Sequence, residues 1–414
     1  MRIFNEEELN NFFAKFDFDV RKSNDARWID QKCTIDVLSL VSDCILECLK
    51  EDDCKEFTAS EIMKFDYTIK NVQDIFSKPN PKNKSNNEYD KFFGQPIKLL
   101  SYSKVLNCSV RANRNYYTIK DKELLEYISS RERNAFNFLC CYIEKVLKDS
   151  DIFYLFESFF SFQNSDSFQE LKEGFSSFTK RYTPINGDTE CNRIFIKVLN
   201  PLAYKRHLLG TVRGRLSKNI ITLDMIVYNQ SNWRDINSLK PKNIPRNEYE
   251  KQKNISENKL FLYKINKAKK ILREYNECYR SGKSEYYEKN ESESLATQMH
   301  HIFPVASYPE IADFIENIIA LTPNQHLLNA HPNNNTYLID KNYQYFLLVA
   351  KSGSIEENIL NKELPTIYTF QDFIHVLNVG LDTNEFEEIE DMNFDQIVRT
   401  IDFYYGSGRV NPNV

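Results

Sequence analysis

Four of the six histidines of this 414-residue chain fall within 32 residues: His300, His301, His326 and His331. Imidazole titrates near physiological pH, so it can take a proton as a general base or offer a nitrogen lone pair to a metal ion. The surrounding residues give these side chains an ordered setting. Gln298-Met-His-His-Ile-Phe-Pro304 reads as a short strand ending at proline, and Ile318-Ile-Ala-Leu321 as a second strand. Thr322-Pro323 then supplies an N-cap and a first helical position, so a helix should carry His326. The local order is strand, loop, strand, helix, with Asn317 immediately before the second strand. Neighbouring residues on a strand point to opposite faces, so His300 and His301 take different roles. The alternative is a group of unrelated core and surface histidines, which is how His207 and His375, lacking any partner pattern, are read.

This order, with a His-His pair, an asparagine before the second strand and helix histidines at a set distance, resembles the His-Asn-His (ββα-metal) nuclease family. It is closest to restriction endonucleases with this active site and to colicin-type nuclease domains. The resemblance covers roughly 295–340, about a ninth of the chain. It implies that His301 is the base that activates water. It implies that His300 and His326 bind the metal, with His331 as third ligand, and that Asn317 holds the loop so that His301 is oriented. The implied cofactor is a divalent ion, Mg²⁺ first, with Mn²⁺, Ni²⁺ or Zn²⁺ as alternatives. It would bridge the scissile phosphate and the leaving oxygen, acting as Lewis acid and clamp.

One spacing departs from an ideal helix. His326 and His331 are five apart, and on an α-helix that leaves the second imidazole roughly 140° from the first. Pro332 follows directly, so the helix is expected to end or unwind there. If His331 does not reach the ion, Asn329 or Asn335 stands in.

The elements that must position this site begin far upstream. Residues 34–50 have the 3.6-residue period of a buried helix, Thr58 and Glu61 form a Thr-x-x-Glu capping box, and Pro96 is placed to open a third helix over 97–106. Cys108-Ser-Val-Arg and Asn115-Tyr-Tyr-Thr-Ile, flanking Ala112-Asn113-Arg114, read as a β-hairpin. Three helices and a hairpin over 33–125 resemble a winged helix-turn-helix, whose third helix reads the major groove. Lys98 and Lys104 on that helix, with Arg111 and Arg114 on the wing, are the expected DNA contacts. A winged helix also serves as a protein–protein module. Further on, Arg213, Arg215 and Lys218 surround Gly214 ahead of a β-like run, where a phosphate contact and a plain charged turn are equally good readings. The aromatic stretch Phe153–Phe162 reads as packing. Residues 280–294 are polar and serine-rich and suit a linker, and no internal repeat is evident.

The fold class is therefore mixed α+β, mostly helical, in three parts. These are a winged-helix-like domain (1–125), a central helical and basic region (126–290) and a ββα-metal nuclease domain with an acidic tail (291–414). Charge supports the division. Residues 201–290 carry 20 Lys+Arg against 9 Asp+Glu, and residues 351–414 carry 4 against 12, although the whole chain is at −5. A basic stretch ahead of a metal site suits a phosphate-tracking surface; an exposed helical face at 259–281 explains the same charges.

With 30 Phe and 24 Tyr the chain can fill several cores. No run approaches the length needed to span a bilayer, and the first residues lack the apolar stretch of a signal peptide, so a cytoplasmic protein is expected. The nine cysteines are odd in number and contain no Cys-x-x-Cys pair, which argues against a disulfide framework or a cysteine zinc site; Cys44 and Cys48 read as core thiols. The expected function is a site-specific DNA endonuclease of type II restriction character acting on double-stranded DNA. It would work as a homodimer to cut both strands, with a companion DNA methyltransferase in the host. The rivals are a colicin-like toxin nuclease of low specificity and a non-catalytic winged-helix regulator.

Overall fold

Residues 35–48 bury their apolar positions on almost every side, with Val37, Leu38, Val41, Cys44 and Ile45 fully enclosed, and this helix sits at the centre of its unit. In the computed structural model, which describes residues 2–23, 28–76, 78, 87–228, 246–287, 294–330 and 340–406, the chain is mostly helical with three two-stranded antiparallel sheets. It divides into an N-terminal unit, Phe4–Glu257, and a C-terminal unit, Asn258–Val414 with Met1–Ile3. The boundaries expected at 125/126 and 290/291 both fall inside these units.

In the N-terminal unit, α1 (Glu6–Ala14) and α2 (Val20–Ser23) precede α3 (Ile35–Cys48). Four helices, α3, α4 (Ala59–Lys64), α5 (Asp66–Phe76) and α6 (Asn87–Tyr102), then stand before the first hairpin, where three were expected. The Thr58 capping box forms: Thr58 Oγ1 accepts from Glu61 N, and Glu61 Oε2 accepts from Thr58 N at 2.7 Å. Pro96 lies inside α6 instead of opening it. Phe92, Phe93, Ile97, Leu99 and Leu100 form one buried face across the proline, and that burial outweighs the one backbone bond proline removes. The helix ends at Tyr102, so Lys104 is not on it; Lys104 occupies the left-handed region at φ 68°.

The hairpin pairs β1 (Leu106–Arg111) with β2 (Arg114–Ile119) through the turn Ala112-Asn113. Both turn residues have positive φ, the conformation that matches the twist of the flanking strands. Phe57 adds a bridge to Tyr117 on the outer side of β2. Then come α7 (Lys122–Ser130), α8 (Glu132–Asp149), α9 (Phe153–Phe162), α10 (Ser165–Tyr182) and α11 (Asp188–Lys205). In α9, Phe156 and Phe159 are fully enclosed while Tyr154 and Phe162 are exposed. A second hairpin pairs β3 (Leu209–Val212) with β4 (Arg215–Ile220). The β-like run ends at Ile220 and is followed by a 3₁₀ turn, Leu223–Met225.

A long helix, Arg246–Tyr279, brings the chain into the C-terminal unit. Its buried stripe Ile265, Ala268, Leu272 and Tyr275 follows helical spacing, and the last three join one core with Met299, Ile302, Phe303, Ile318 and Ile319. Helices Lys341–Leu360, Phe370–Leu381 and Phe394–Gly406 complete that core around the pair β5 (Gln298–His301) and β6 (Ile318–Leu321).

Two sequence readings need correction here. Residues 284–286 are not a spacer. Glu285 N donates to Ala320 O at 3.0 Å, and its carboxylate, fully buried, accepts from Ala320 N and meets Lys351 Nζ and an Arg280 guanidinium nitrogen at 3.2 Å each. A polar segment is thus drawn inside because the outer edge of β6 needs a hydrogen-bonding partner. The acidic stretch 385–391 is not a tail either. Phe386 is fully enclosed and Ile389 buried, so the apolar residues between the acids anchor it. Among the described residues no helix is long and apolar enough to cross a membrane.

Candidate functional site

β5 and β6 run antiparallel in the register His300↔Ile319 and His301↔Ile318, with all four residues of β6 buried. The ladder is extended by Ile302 N donating to Asn317 O at 2.9 Å. Asn317 therefore sits where the second strand begins, fully enclosed, with its amide aimed at the loop that joins the strands. Its Oδ1 accepts from Phe303 N at 2.8 Å, and its Nδ2 donates to the carbonyls of Phe303 at 3.1 Å and Ile311 at 3.2 Å. One side chain thus ties together the start and the far side of the loop.

The next carbonyl along the loop, that of Ala312, lies 2.9 Å from His301 Nε2. A carbonyl can only accept, so Nε2 carries the proton and Nδ1 keeps its lone pair. His301 is buried, and burial, followed by the nearby charge of Lys269, pulls its pKa down to about 4; the Ala312 hydrogen bond acts the other way. The ring is neutral at pH 7, with a fixed tautomer and an unprotonated Nδ1.

His300, on the opposite face of β5, packs edge-on against His326, with ring centroids 5.1 Å apart. His326 is delivered by the turn after β6. Thr322 Oγ1 accepts from Gln325 N at 3.2 Å, and Gln325 Oε1 accepts from Thr322 N at 3.1 Å, a reciprocal cap. Gln325 also takes a 2.6 Å bond from Ser284 Oγ and donates to Tyr286 O at 2.9 Å, which fixes the turn against residues 284–286. Residues Gln325–Ala330 then form a π-helix. With about 4.4 residues per turn, a π-helix puts side chains five apart roughly 50° from alignment, where an α-helix would leave them about 140° apart. His331, Asn335 and Pro332 lie outside the described residues, and so does the side chain of Asn329.

The two rings suit a shared metal ion. With metal–nitrogen bonds of about 2.1 Å and tetrahedral angles, two coordinating imidazoles have centroids about 5.2 Å apart. Among the described residues no group of three or more His, Cys, Asp or Glu side chains is arranged to hold an ion. The pair His300–His326 could supply two of the ligands a metal needs.

Sequence reasoning did not single out Lys269, Glu285 or Gln325. Lys269 lies on the long helix and is half-buried, and burial with the neighbouring Arg273 lowers its pKa. No motif marks it. Gln325 was legible, since Thr322-Pro-Asn-Gln325 is a capping-box pattern; Glu285 had no signal. Of the expected DNA contacts, Lys98 is half-exposed on α6, and Arg111 faces Arg114 across the first turn. Arg111 is held by Glu56 and lies 4.4 Å over the Tyr116 ring. Arg213 and Gly214 form the second turn, at φ 53° and 76°, with Arg215 and Lys218 exposed on β4. His207 is exposed at φ 54°, and His375 is exposed with its ring 5.2 Å from Phe314.

The chain matches no protein-family profile, no curated protein and no solved structure.

Proposed function

We propose that this protein is a metal-dependent DNA endonuclease of the His-Asn-His type, acting at specific sites on double-stranded DNA in the manner of a type II restriction enzyme. One relationship carries the reading. Asn317 fixes the loop whose Ala312 carbonyl in turn fixes the tautomer and direction of a buried, neutral His301. Any buried imidazole needs an acceptor for its N–H; what favours a base is that the loop offering this acceptor is itself held by Asn317.

Phosphodiester hydrolysis needs a water deprotonated as it attacks phosphorus and a stabilised leaving 3′-oxygen. His301 Nδ1 takes the water proton. As the ring becomes positive, its Nε2–H bond to the Ala312 carbonyl strengthens, and that is how the loop stabilises the imidazolium. The low pKa of free His301 rises when an anionic phosphate arrives and offsets Lys269, so the base gains strength where substrate is bound. His300 and His326 would hold a divalent ion, Mg²⁺ in the simplest case, which when bound stabilises charge on the phosphate and leaving oxygens. Lys269, a half-buried cation near His301, supports the reading as a partner for phosphate.

The N-terminal unit is proposed as the DNA-reading part. Helices before a two-stranded hairpin, with Phe57 bridged to Tyr117 outside β2, support that reading. One such site cuts one strand, so a homodimer is proposed for double-strand cleavage, with a protecting methyltransferase encoded nearby.

Incubation of supercoiled plasmid with the full chain in Mg²⁺ or Mn²⁺, against EDTA, tests the activity. Discrete metal-dependent fragments with mappable ends are expected. A smear would assign a low-specificity nuclease, and intact plasmid across varied and methylated DNA would leave a DNA-binding module.

A further inference from the structure

The N-terminal unit contains one arrangement twice. After α3–α6, the helix end is closed by Val105 N donating to Leu100 O, five residues back, at 2.9 Å, with Lys104 between them in the left-handed region. β1, a two-residue turn with both φ positive, and β2 follow, and Lys120 N returns to Val105 O at 3.0 Å. After α8–α11 the same steps recur. Leu208 N donates to Ala203 O, five back, at 3.0 Å, with His207 left-handed; β3, the positive-φ turn Arg213-Gly214 and β4 follow, and Ile221 N returns to Leu208 O at 3.1 Å. Six helices precede the first hairpin and five lie between the two, so what repeats is the closing turn of the last helix and the hairpin that follows it.

We propose that this unit is a tandem of two helix–hairpin modules, and that the second hairpin is a second wing, gripping DNA phosphates through Arg213, Arg215 and Lys218. The inference rests on the DNA-directed reading above but not on the cleavage chemistry. Charge is the first support. Residues 191–223 contain seven Lys+Arg and no Asp or Glu. Two of the seven are neutralised from outside, Lys205 by Glu6 and Arg206 by Glu144. Arg213, Arg215 and Lys218 are exposed and form no ion pair among the described residues, whereas Arg111 on the first wing is held by Glu56.

Backbone conformation is the second support. Arg213 occupies a left-handed turn position that Asn, Asp or Gly fills more easily, at a cost of about 1 kcal/mol for a larger side chain. The turn sets the Arg213 side chain at the exposed tip of the hairpin. The third support is Lys172 on α10, whose Nζ donates to Gly214 O at 2.8 Å, bracing the turn and adding a cation beside it. Guanidinium groups on a rigid, braced tip match the geometry of phosphate oxygens.

The test is fluorescence anisotropy of full-length His301→Ala protein, in EDTA, on a labelled mixed-sequence duplex of about three turns, between 50 and 200 mM salt. Arg213→Gln with Arg215→Gln should weaken binding about tenfold and reduce the salt slope by about 1.8, since each phosphate left unneutralised lowers it by about 0.9. Arg213→Lys with Arg215→Lys should restore most of both, which separates charge from folding. Arg111→Gln should cost less. Unchanged affinity and slope in the Gln pair would overturn the second wing and leave the nuclease reading standing. No binding by the parent protein at any salt would overturn both.

Discussion

Asn317 donates to the carbonyl of Ile311, and the carbonyl of the very next residue, Ala312, meets His301 Nε2 at 2.9 Å. Two adjacent carbonyls thus connect the asparagine to the histidine, and a change at Asn317 must reach His301 through the loop. Asn317→Ala would leave Phe303 N–H and two carbonyls without their partner in a fully enclosed site. At about 1–3 kcal/mol for each buried group stranded, a loss of about 3 kcal/mol or more is expected. Denaturant unfolding gives that number. Cleavage by the folded fraction should fall further than the stability loss explains, because His301 loses its orientation.

The pH dependence follows from His301. Its folded pKa, about 4, lies below the ordinary 6.5, so between these values the unfolded chain binds the extra proton. Stability from this group is fully present above pH 6.5 and is lost as pH falls toward 4, in total about 3 kcal/mol. Urea midpoints measured from pH 7 to pH 4 should decline, and His301→Asn should flatten that decline. Lys269→Met removes a positive neighbour, so the His301 pKa should rise in an imidazole NMR titration; an unchanged pKa would contradict the placement of Lys269.

His300 and His326 should matter to the ion before they matter to DNA. Replacing either with Ala should weaken Mn²⁺ binding, followed by calorimetry, at least about tenfold, since even outer-shell partners of a metal account for that much. Duplex affinity in EDTA should stay constant. His331→Ala belongs in the same series, and a loss equal to that of His326→Ala would identify the third ligand.

Gly380 tests the loop from the other side. A Cβ at this position would stand 2.3 Å from the ring of Phe303, whose backbone Asn317 holds. Gly380→Ala must therefore displace Phe303 or bend its own helix, with about 1–3 kcal/mol lost. A reduced melting temperature with impaired cleavage is expected, and Phe303→Leu in the same chain should recover part of both by vacating the ring's space.

Much of the site was legible because its elements are short and punctuated. The strand before Pro304, the strand after Asn317 and the cap at Thr322 each have a local signal, as has the Thr58 box. The π-helix was not legible, because no local pattern decides between hydrogen bonds four and five residues apart, and Gln325 is tied to Ser284 and Tyr286 about forty residues upstream. Pro96, Glu285 and Phe386 misled for one shared reason. Each carries a breaker or a charge, or sits among charges, that local rules send to the surface, and long-range burial kept it inside or within a helix. The repeated helix–hairpin arrangement left no trace in residue types. Ala112-Asn113 and Arg213-Gly214 share a conformation but no side chain.

The central claim is that His301 is the base. Plasmid cleavage by wild type and His301→Ala, in Mg²⁺ and at about pH 7.5, tests it most directly once both proteins are shown to bind duplex DNA equally in EDTA. Discrete fragments from wild type, and their loss by about 100-fold or more in the variant, are the predicted result. Equal cleavage by the two proteins would contradict the account.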